Sequence, residues 1–248
     1  MSKTKMYTLN GFKVMEVEET ASTNTLAEEL RPGLEDRTVV LTYRQTRGRG
    51  QVGNCWESEP GKNISMTVVL KPNGLSAGRQ FAVSMAVALG VRDFVSLHVP
   101  DCTVKWPNDV YVGDKKVAGI LIEHTVMGRE VAASLCGVGL NVNQERFWSD
   151  APNPVSLRQL TGREFSLKEV LGGLLSVLER RLNGLFDFEG LERDFRAALY
   201  RREGVHRWAD EEGEFQASVA GINEFGQLLL RETSGRERVY SFKEVRYL

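Results

Sequence analysis

The sequence predicts an α+β fold: a mixed, largely antiparallel sheet with helices packed on it, followed by a small all-β unit. Three observations carry this. Residues 103–138 read as short strands joined by tight turns, Pro107-Asn108-Asp109 and Gly113-Asp114, which make antiparallel hairpins. Residues 76–96 read as one helix with apolar side chains over much of its surface, Phe81, Val83, Met85, Val87 and Val91 among them, so it should be buried against the sheet. After Val205 the composition changes to strand-like runs and turns.

In chain order, Phe12–Val17 is a short strand. Ser22-Thr23-Asn24 is an N-cap cluster ahead of a helix that Pro32-Gly33 stops. Residues 38–43 are a strand leading into a glycine-rich loop, residues 45–56, and residues 62–70 return as a strand. Beyond the long helix come strands at 103–106, 110–112, 115–126 and 130–138. Residues 144–160, with Trp148, read as a loop that covers a site. Ser166-Leu167-Lys168-Glu169 is a capping box opening a helix to about Phe186, and a second helix spans about 189–201. Strand-like runs at 215–222, 227–231 and 238–242 form a barrel-like appendage. The expected division is 1–202 and 203–248.

Composition excludes several classes. With 42% hydrophobic residues in 248, the chain can bury a substantial core. Lys+Arg 32 against Asp+Glu 33 argues against a nucleic-acid coat or a polybasic membrane binder. The apolar runs are too short to span a bilayer, and residues 1–10 carry no signal-peptide core, so a cytoplasmic protein is expected. Cys55, Cys102 and Cys136 include no C-x-x-C pair, and His98, His124 and His206 lack metal-ligand spacing.

The 45–56 loop, Gln-Thr-Arg-Gly-Arg-Gly-Gln-Val-Gly-Asn-Cys-Trp, combines a permissive backbone with two guanidinium groups, which suits a carboxylate or phosphate. Gly48, Gly50 and Gly53 also fit G-x-G-x-x-G. The dinucleotide fingerprint further needs a helix opening at the third glycine and an acid about 20 residues on; turn residues and Pro72-Asn73-Gly74 stand there instead. Further polar groups fall at strand ends: Ser22-Thr23-Asn24, Lys105 to Asp109, Lys115-Lys116, and Gly137 to Asn141. Each alone reads as a cap, a turn or close packing. Together on one sheet edge they point to an anionic ligand, although no Walker A sequence is present.

These stretches resemble the biotin–protein ligases. The family pattern is Ser-Thr-Asn before a helix, then Gly-Arg-Gly-x-x-Gly-x-x-Trp, Lys-Trp-Pro-Asn-Asp, Lys-x-Ala-Gly-Ile-Leu-x-Glu and Gly-x-Gly-x-Asn. Here these are Ser22 to Asn24, Gly48 to Trp56, Lys105 to Asp109, Lys116 to Glu123 and Gly137 to Asn141, in that order. The resemblance implies a class II synthetase-like catalytic domain with an SH3-like C-terminal barrel. It implies an ATP- and Mg²⁺-dependent ligase that forms biotinyl-5′-AMP and transfers biotin to a lysine of a biotin carboxyl carrier domain. A lipoate–protein ligase and a non-catalytic biotin sensor are the competing readings.

By the same resemblance, Lys116, Arg49 and Asp109 are the catalytic group. Ser22, Thr23, Asn24, Gln45, Gly48, Arg49, Gly50, Gln51, Lys116 and Gly119 would hold biotin. Arg49, Gln51, Asn54, Trp56, Asn108, Lys116, Asn141 and Trp148 would hold ATP or the adenylate, and the metal ligands are open. The 45–56 loop is then a lid ordered by biotin and its adenylate. Many members have arginine at position 51, where this chain has Gln51, which bears on how tightly the adenylate is retained. About 20 residues precede Ser22, too few for the DNA-binding domain some members carry, so no DNA partner is expected. Exposed edge strands allow a homodimer by β-addition.

Overall fold

The structure is a computed structural model describing residues 4–51, 53–149 and 153–248. Val52 of the glycine-rich loop and residues 150–152 of the covering segment lie outside the described residues.

The first hairpin, β1 (Thr4–Leu9) and β2 (Phe12–Val17), turns at Asn10-Gly11, both at positive φ. Next come α1 (Thr23–Leu30), β3 (Thr38–Thr42), a two-residue ladder of β4 (Gly48–Arg49) with β5 (Cys55–Trp56), and β6 (Ile64–Leu70). A 3₁₀ turn at Ala77–Arg79 precedes α2 (Phe81–Ser96), so the long helix starts later than its apolar pattern predicts. The meander is β7 (Cys102–Lys105), β8 (Asp109–Val112), β9 (Lys115–Met127) and β10 (Glu130–Leu140). Then follow α3 (Leu157–Thr161), α4 (Leu167–Asn183) and α5 (Phe188–Ala198). The remainder is β11 (His206–Asp210), β12 (Gly213–Ile222), β13 (Leu228–Glu232), β14 (Glu237–Tyr240) and β15 (Arg246–Tyr247).

The main sheet has eight strands in the order β1-β2-β3-β6-β10-β9-β8-β7. Every pairing is antiparallel except β2 with β3, which makes the sheet mixed and largely antiparallel, as predicted. The C-terminal strands form a five-stranded antiparallel sheet, β14-β13-β12-β11-β15.

Helix α2 is buried almost all round, between the sheet and the helices α4 and α5. Its crossing with α4 is close because each helix offers a glycine. A Cβ at Gly90 would meet Leu178 Cδ2 at 2.6 Å, and one at Gly173 would meet Phe94 Cε2 at 2.8 Å. Six elements were not expected: β1, the short β4 and β5 within the glycine-rich loop, α3, β11 and β15. β1 has no fully buried face to set a pattern, and β15 is only two residues long. The capping box also falls elsewhere. Ser166 Oγ accepts from Glu169 N at 3.5 Å, but the reciprocal pair of bonds sits at Ser156 and Gln159, opening α3.

Candidate active site

The floor of the site is made by absent side chains. Gly119 of β9 and Gly139 of β10 are opposite partners in the ladder. A Cβ at Gly119 would lie 2.8 Å from Trp56 Cζ3, and one at Gly139 would run into the indole. Trp56, hung from the β4–β5 ladder opposite Gly48, therefore packs over both. Its Nε1 is buried without a hydrogen-bond partner among the described residues, as is Ser65 Oγ nearby. Two residues along β10, the missing Cβ of Gly137 makes room for the side chain of Asn24. The Gly-x-Gly of this strand is a pair of seats, one for Asn24 and one for Trp56.

Around Asn24 the polar groups are joined. Ser22, Thr23 and Asn24 are all 4% exposed. Ser22 holds the N-cap position but makes no side-chain cap bond. Thr23 N donates to Gln45 Oε1 at 2.9 Å. Thr67 Oγ1 is 2.8 Å from Thr23 Oγ1 and 2.6 Å from Asn24 Oδ1. Asn24 Nδ2 donates to Leu121 O at 3.2 Å and to Glu123 Oε2 at 2.8 Å.

Among the described residues, five cationic side chains line the margins, Arg49, Lys105 and Lys116 from the main sheet and its loop, and Lys243 and Arg246 from the C-terminal segment. Lys116 Nζ is 2.7 Å from Asp109 Oδ1. Burial pushes the Asp109 carboxyl above the usual aspartate range, and the neighbouring ammonium pulls it back only in part. Lys105 Nζ donates to Tyr111 Oη at 3.2 Å and lies 4.7 Å from the ring centres of both Tyr111 and Tyr247. Burial lowers its pKa, with Asp109 opposing. Arg49 grips Glu123, with Nη2 to Oε1 at 2.6 Å and Nη1 to Oε2 at 3.3 Å.

These groups enclose a cavity of about 450 Å³. Ser22, Thr23, Asn24 and Gln45 line one end. Arg49, Gly50, Gln51, Asn54 and Trp56 form the loop wall, and Asn108, Asp109, Lys116 and Gly119 complete the expected set. The loop already lies against the cavity, tied down by Arg49. Three expected residues stand outside the lining. Gly48 is held in the β4–β5 ladder. Asn141 is buried behind the wall, with Nδ2 donating to Val155 O at 3.1 Å. Trp148 is 70% exposed. Its segment is pinned by Glu57, which accepts from Trp148 N at 3.0 Å and Ser149 N at 2.6 Å. Burial raises the Glu57 carboxyl, but the bonds from Ser149, Trp148 and Gln144 outweigh it, so the net shift is downward.

Sequence reasoning missed Glu123 as a site residue, although it ends the Lys-x-Ala-Gly-Ile-Leu-x-Glu stretch. It also missed the C-terminal segment: Lys243, Arg246 and Tyr247 line the same cavity. No local pattern marks residues that arrive from another sheet. Among the described residues, no cluster of three or more His, Cys, Asp or Glu side chains is arranged to hold a metal ion.

Residues 16–141 match the model of the biotin/lipoate A/B protein ligase family. The chain belongs to this family. Other ligases in it include the biotin–[acetyl-CoA-carboxylase] ligase of Paracoccus denitrificans, 33% identical over 237 residues, covering 88% of this chain and 94% of the relative. The bifunctional ligase/repressor BirA of Bacillus subtilis is 28% identical over 236 residues, covering 89% and 70%. In fold, this ligase is similar to the biotin protein ligase from Aquifex aeolicus in complex with biotin and ATP, with TM-score 0.78 at 24% identity, covering 95% and 99%. It is also similar to the ligase from Leishmania major in complex with biotinyl-5-AMP, with TM-score 0.64 at 20% identity, covering 92% and 98%.

Proposed function

We propose that this ligase activates biotin as biotinyl-5′-adenylate and transfers it to a lysine of a biotin carboxyl carrier domain. The Paracoccus relative, whose name specifies biotin, supports the substrate. The observation that carries the chemistry is Lys116: an ammonium paired to one half-buried carboxylate in the lining of the cavity.

In the first half-reaction the biotin carboxylate attacks the α-phosphorus of ATP and pyrophosphate leaves. Two unit charges 4 Å apart repel by about 4 kcal/mol at an effective dielectric of 20, roughly a thousandfold in rate. Preorganised cations must offset this. Lys116 spends one of its three donors on Asp109, which leaves two for the carboxylate and the α-phosphate. In the second, a carrier lysine attacks the mixed anhydride and AMP leaves.

Ser22, Thr23, Asn24 and Gln45 bind the ureido ring, and Gln51, Asn54, Trp56 and Asn108 serve the adenylate. Asp109 orients Lys116. Mg²⁺, when bound, would supply charge neutralisation on the phosphates. Asp109 is the single carboxylate in the cavity lining among the described residues, which suits an ion held mainly by phosphate oxygens and water. We take 1–202 as the catalytic unit, with 203–248 as its C-terminal partner. Beyond Gly119, β9 outruns β8 and keeps one edge without a strand partner among the described residues. That edge suits β-addition by the carrier or by a second copy of the chain.

The test is incubation of a carrier domain with ATP and either biotin or lipoate, followed by streptavidin blotting and mass measurement. Biotin-dependent labelling is expected. Lipoate transfer would favour the sister activity of the family, and binding without transfer would make the protein a sensor.

A further inference from the structure

Glu123 stands on β9 where the loop meets the floor. Its Oε1 takes Arg49 Nη2 at 2.6 Å, while its Oε2 takes Arg49 Nη1 at 3.3 Å and Asn24 Nδ2 at 2.8 Å. One carboxylate thus joins a residue of the glycine-rich loop to the first turn of α1, where Asn24 sits 4% exposed in the space left by Gly137. The bonding also fixes the Asn24 amide. Glu123 and the Leu121 carbonyl are pure acceptors and face the same end of it, so that end is the NH₂ group. Its oxygen is left for Thr67 Oγ1, 2.6 Å away.

The pairing has an electrostatic consequence. Arg49 lines the cavity with its guanidinium already ion-paired to Glu123, so part of its charge is balanced within the protein. The attraction closing the loop is then built into the protein and does not wait for the ligand's charge.

We propose that Glu123 is a positioning residue that makes closure of the loop and orientation of Asn24 a single event, and so sets how tightly biotin is held. This rests on the ligase reading above. Without Glu123 the loop is closed in a smaller fraction of molecules, and apparent affinity falls by that fraction.

Glu123→Gln keeps the size and removes the charge. Its one oxygen can stand in for Oε2 towards Arg49 Nη1 and Asn24, but the amide NH₂ then meets the donor Arg49 Nη2, so the two-armed fork is broken. The expected result is a biotin Kd raised about tenfold and a KM for biotin raised by a similar factor, the pair being partly exposed and charge-assisted. The kcat stays within about twofold, since no reacting atom is touched. Trypsin cleaves the ligand-free loop at Arg47 faster, while the thermal midpoint stays at the wild-type value. Arg49→Gln alone and combined with Glu123→Gln closes a cycle: the double variant should bind no worse than the weaker single. Unchanged Kd and unchanged loop cleavage, or additive losses, would overturn the proposal. Should the glutamine variant fold poorly, Glu123→Asp keeps the charge, withdraws it by one methylene and is read in the same way. If wild-type protein binds no biotin, the ligase reading fails, and the cleavage comparison still decides whether Glu123 holds the loop.

Discussion

The indole of Trp56 occupies the space that a side chain at Gly139 would fill. The two residues lie far apart in sequence, on a short loop ladder and on a central strand, and the glycine is there for the tryptophan. Gly139→Ala should therefore displace Trp56. Overpacking of this kind costs about 1–3 kcal/mol. The loss should appear in the thermal midpoint together with a shift in tryptophan emission, and Trp56→Ala in the same chain should restore much of the stability. A neutral Gly139→Ala variant would contradict the packing argument.

Lys116→Ala should abolish pyrophosphate release, because the cation that brings carboxylate and phosphate together is gone. Full activity would remove Lys116 from the chemistry. The paired Asp109 sets a pH dependence. Burial raises its pKa, so the acid form persists to higher pH than in an ordinary aspartate. Adenylation that needs the carboxylate falls as pH drops through that raised value and is full above it. Asp109→Asn should lower activity and also remove this acid limb from the normalised profile. The stability linkage has the opposite sense. A raised carboxyl favours the folded state below its unfolded pKa of about 3.9, and the gain is lost as pH rises through the folded value.

Glu57 should anchor the segment around Trp148. Its carboxyl titrates below the glutamate range, so the anchor is complete above the unfolded value of about 4.3 and is lost as pH falls through the folded one. Glu57→Ala should speed hydrogen exchange at the Trp148 and Ser149 amides by about an order of magnitude, as for a charge-assisted bond lost at a partly open site. Unchanged protection would show the segment to be held by something else.

Gln51 lines the cavity from the loop and carries no charge. Gln51→Arg should slow release of free adenylate, measured as biotinyl-AMP in the medium when no carrier is present. Equal release would show that Gln51 already retains it.

No cysteine is expected to act as a nucleophile. Cys102 is buried with its pKa pushed up to about 12, and burial raises Cys136 as well. Cys55 is exposed and lines the cavity, so alkylation there obstructs the site without implying a nucleophile. Cys55→Ser should keep wild-type turnover and lose sensitivity to alkylators. Inactivity of the serine variant would assign the thiol a role.

Much of the fold was legible because its elements carry local signals. The period-two strands of the meander, the nearly all-apolar α2 and the turn residues between them belong to neighbouring positions in the chain. Several site residues were legible for a related reason: Lys116, Asp109, Arg49 and Asn24 sit in short stretches of mutually consistent residues. The sequence by itself therefore determined the mixed sheet, the family resemblance and part of the cavity lining. The tertiary structure decided what those residues do to one another. It seats Trp56 on Gly139, joins Arg49 to Asn24 through Glu123, and brings Arg246 and Tyr247 from the second sheet into the cavity. It also turns Trp148 outward and sets Asn141 behind the wall. The physical reason is range. Propensity and periodicity act over a few residues, whereas these contacts join residues tens to more than a hundred positions apart, and only packing in three dimensions selects among them.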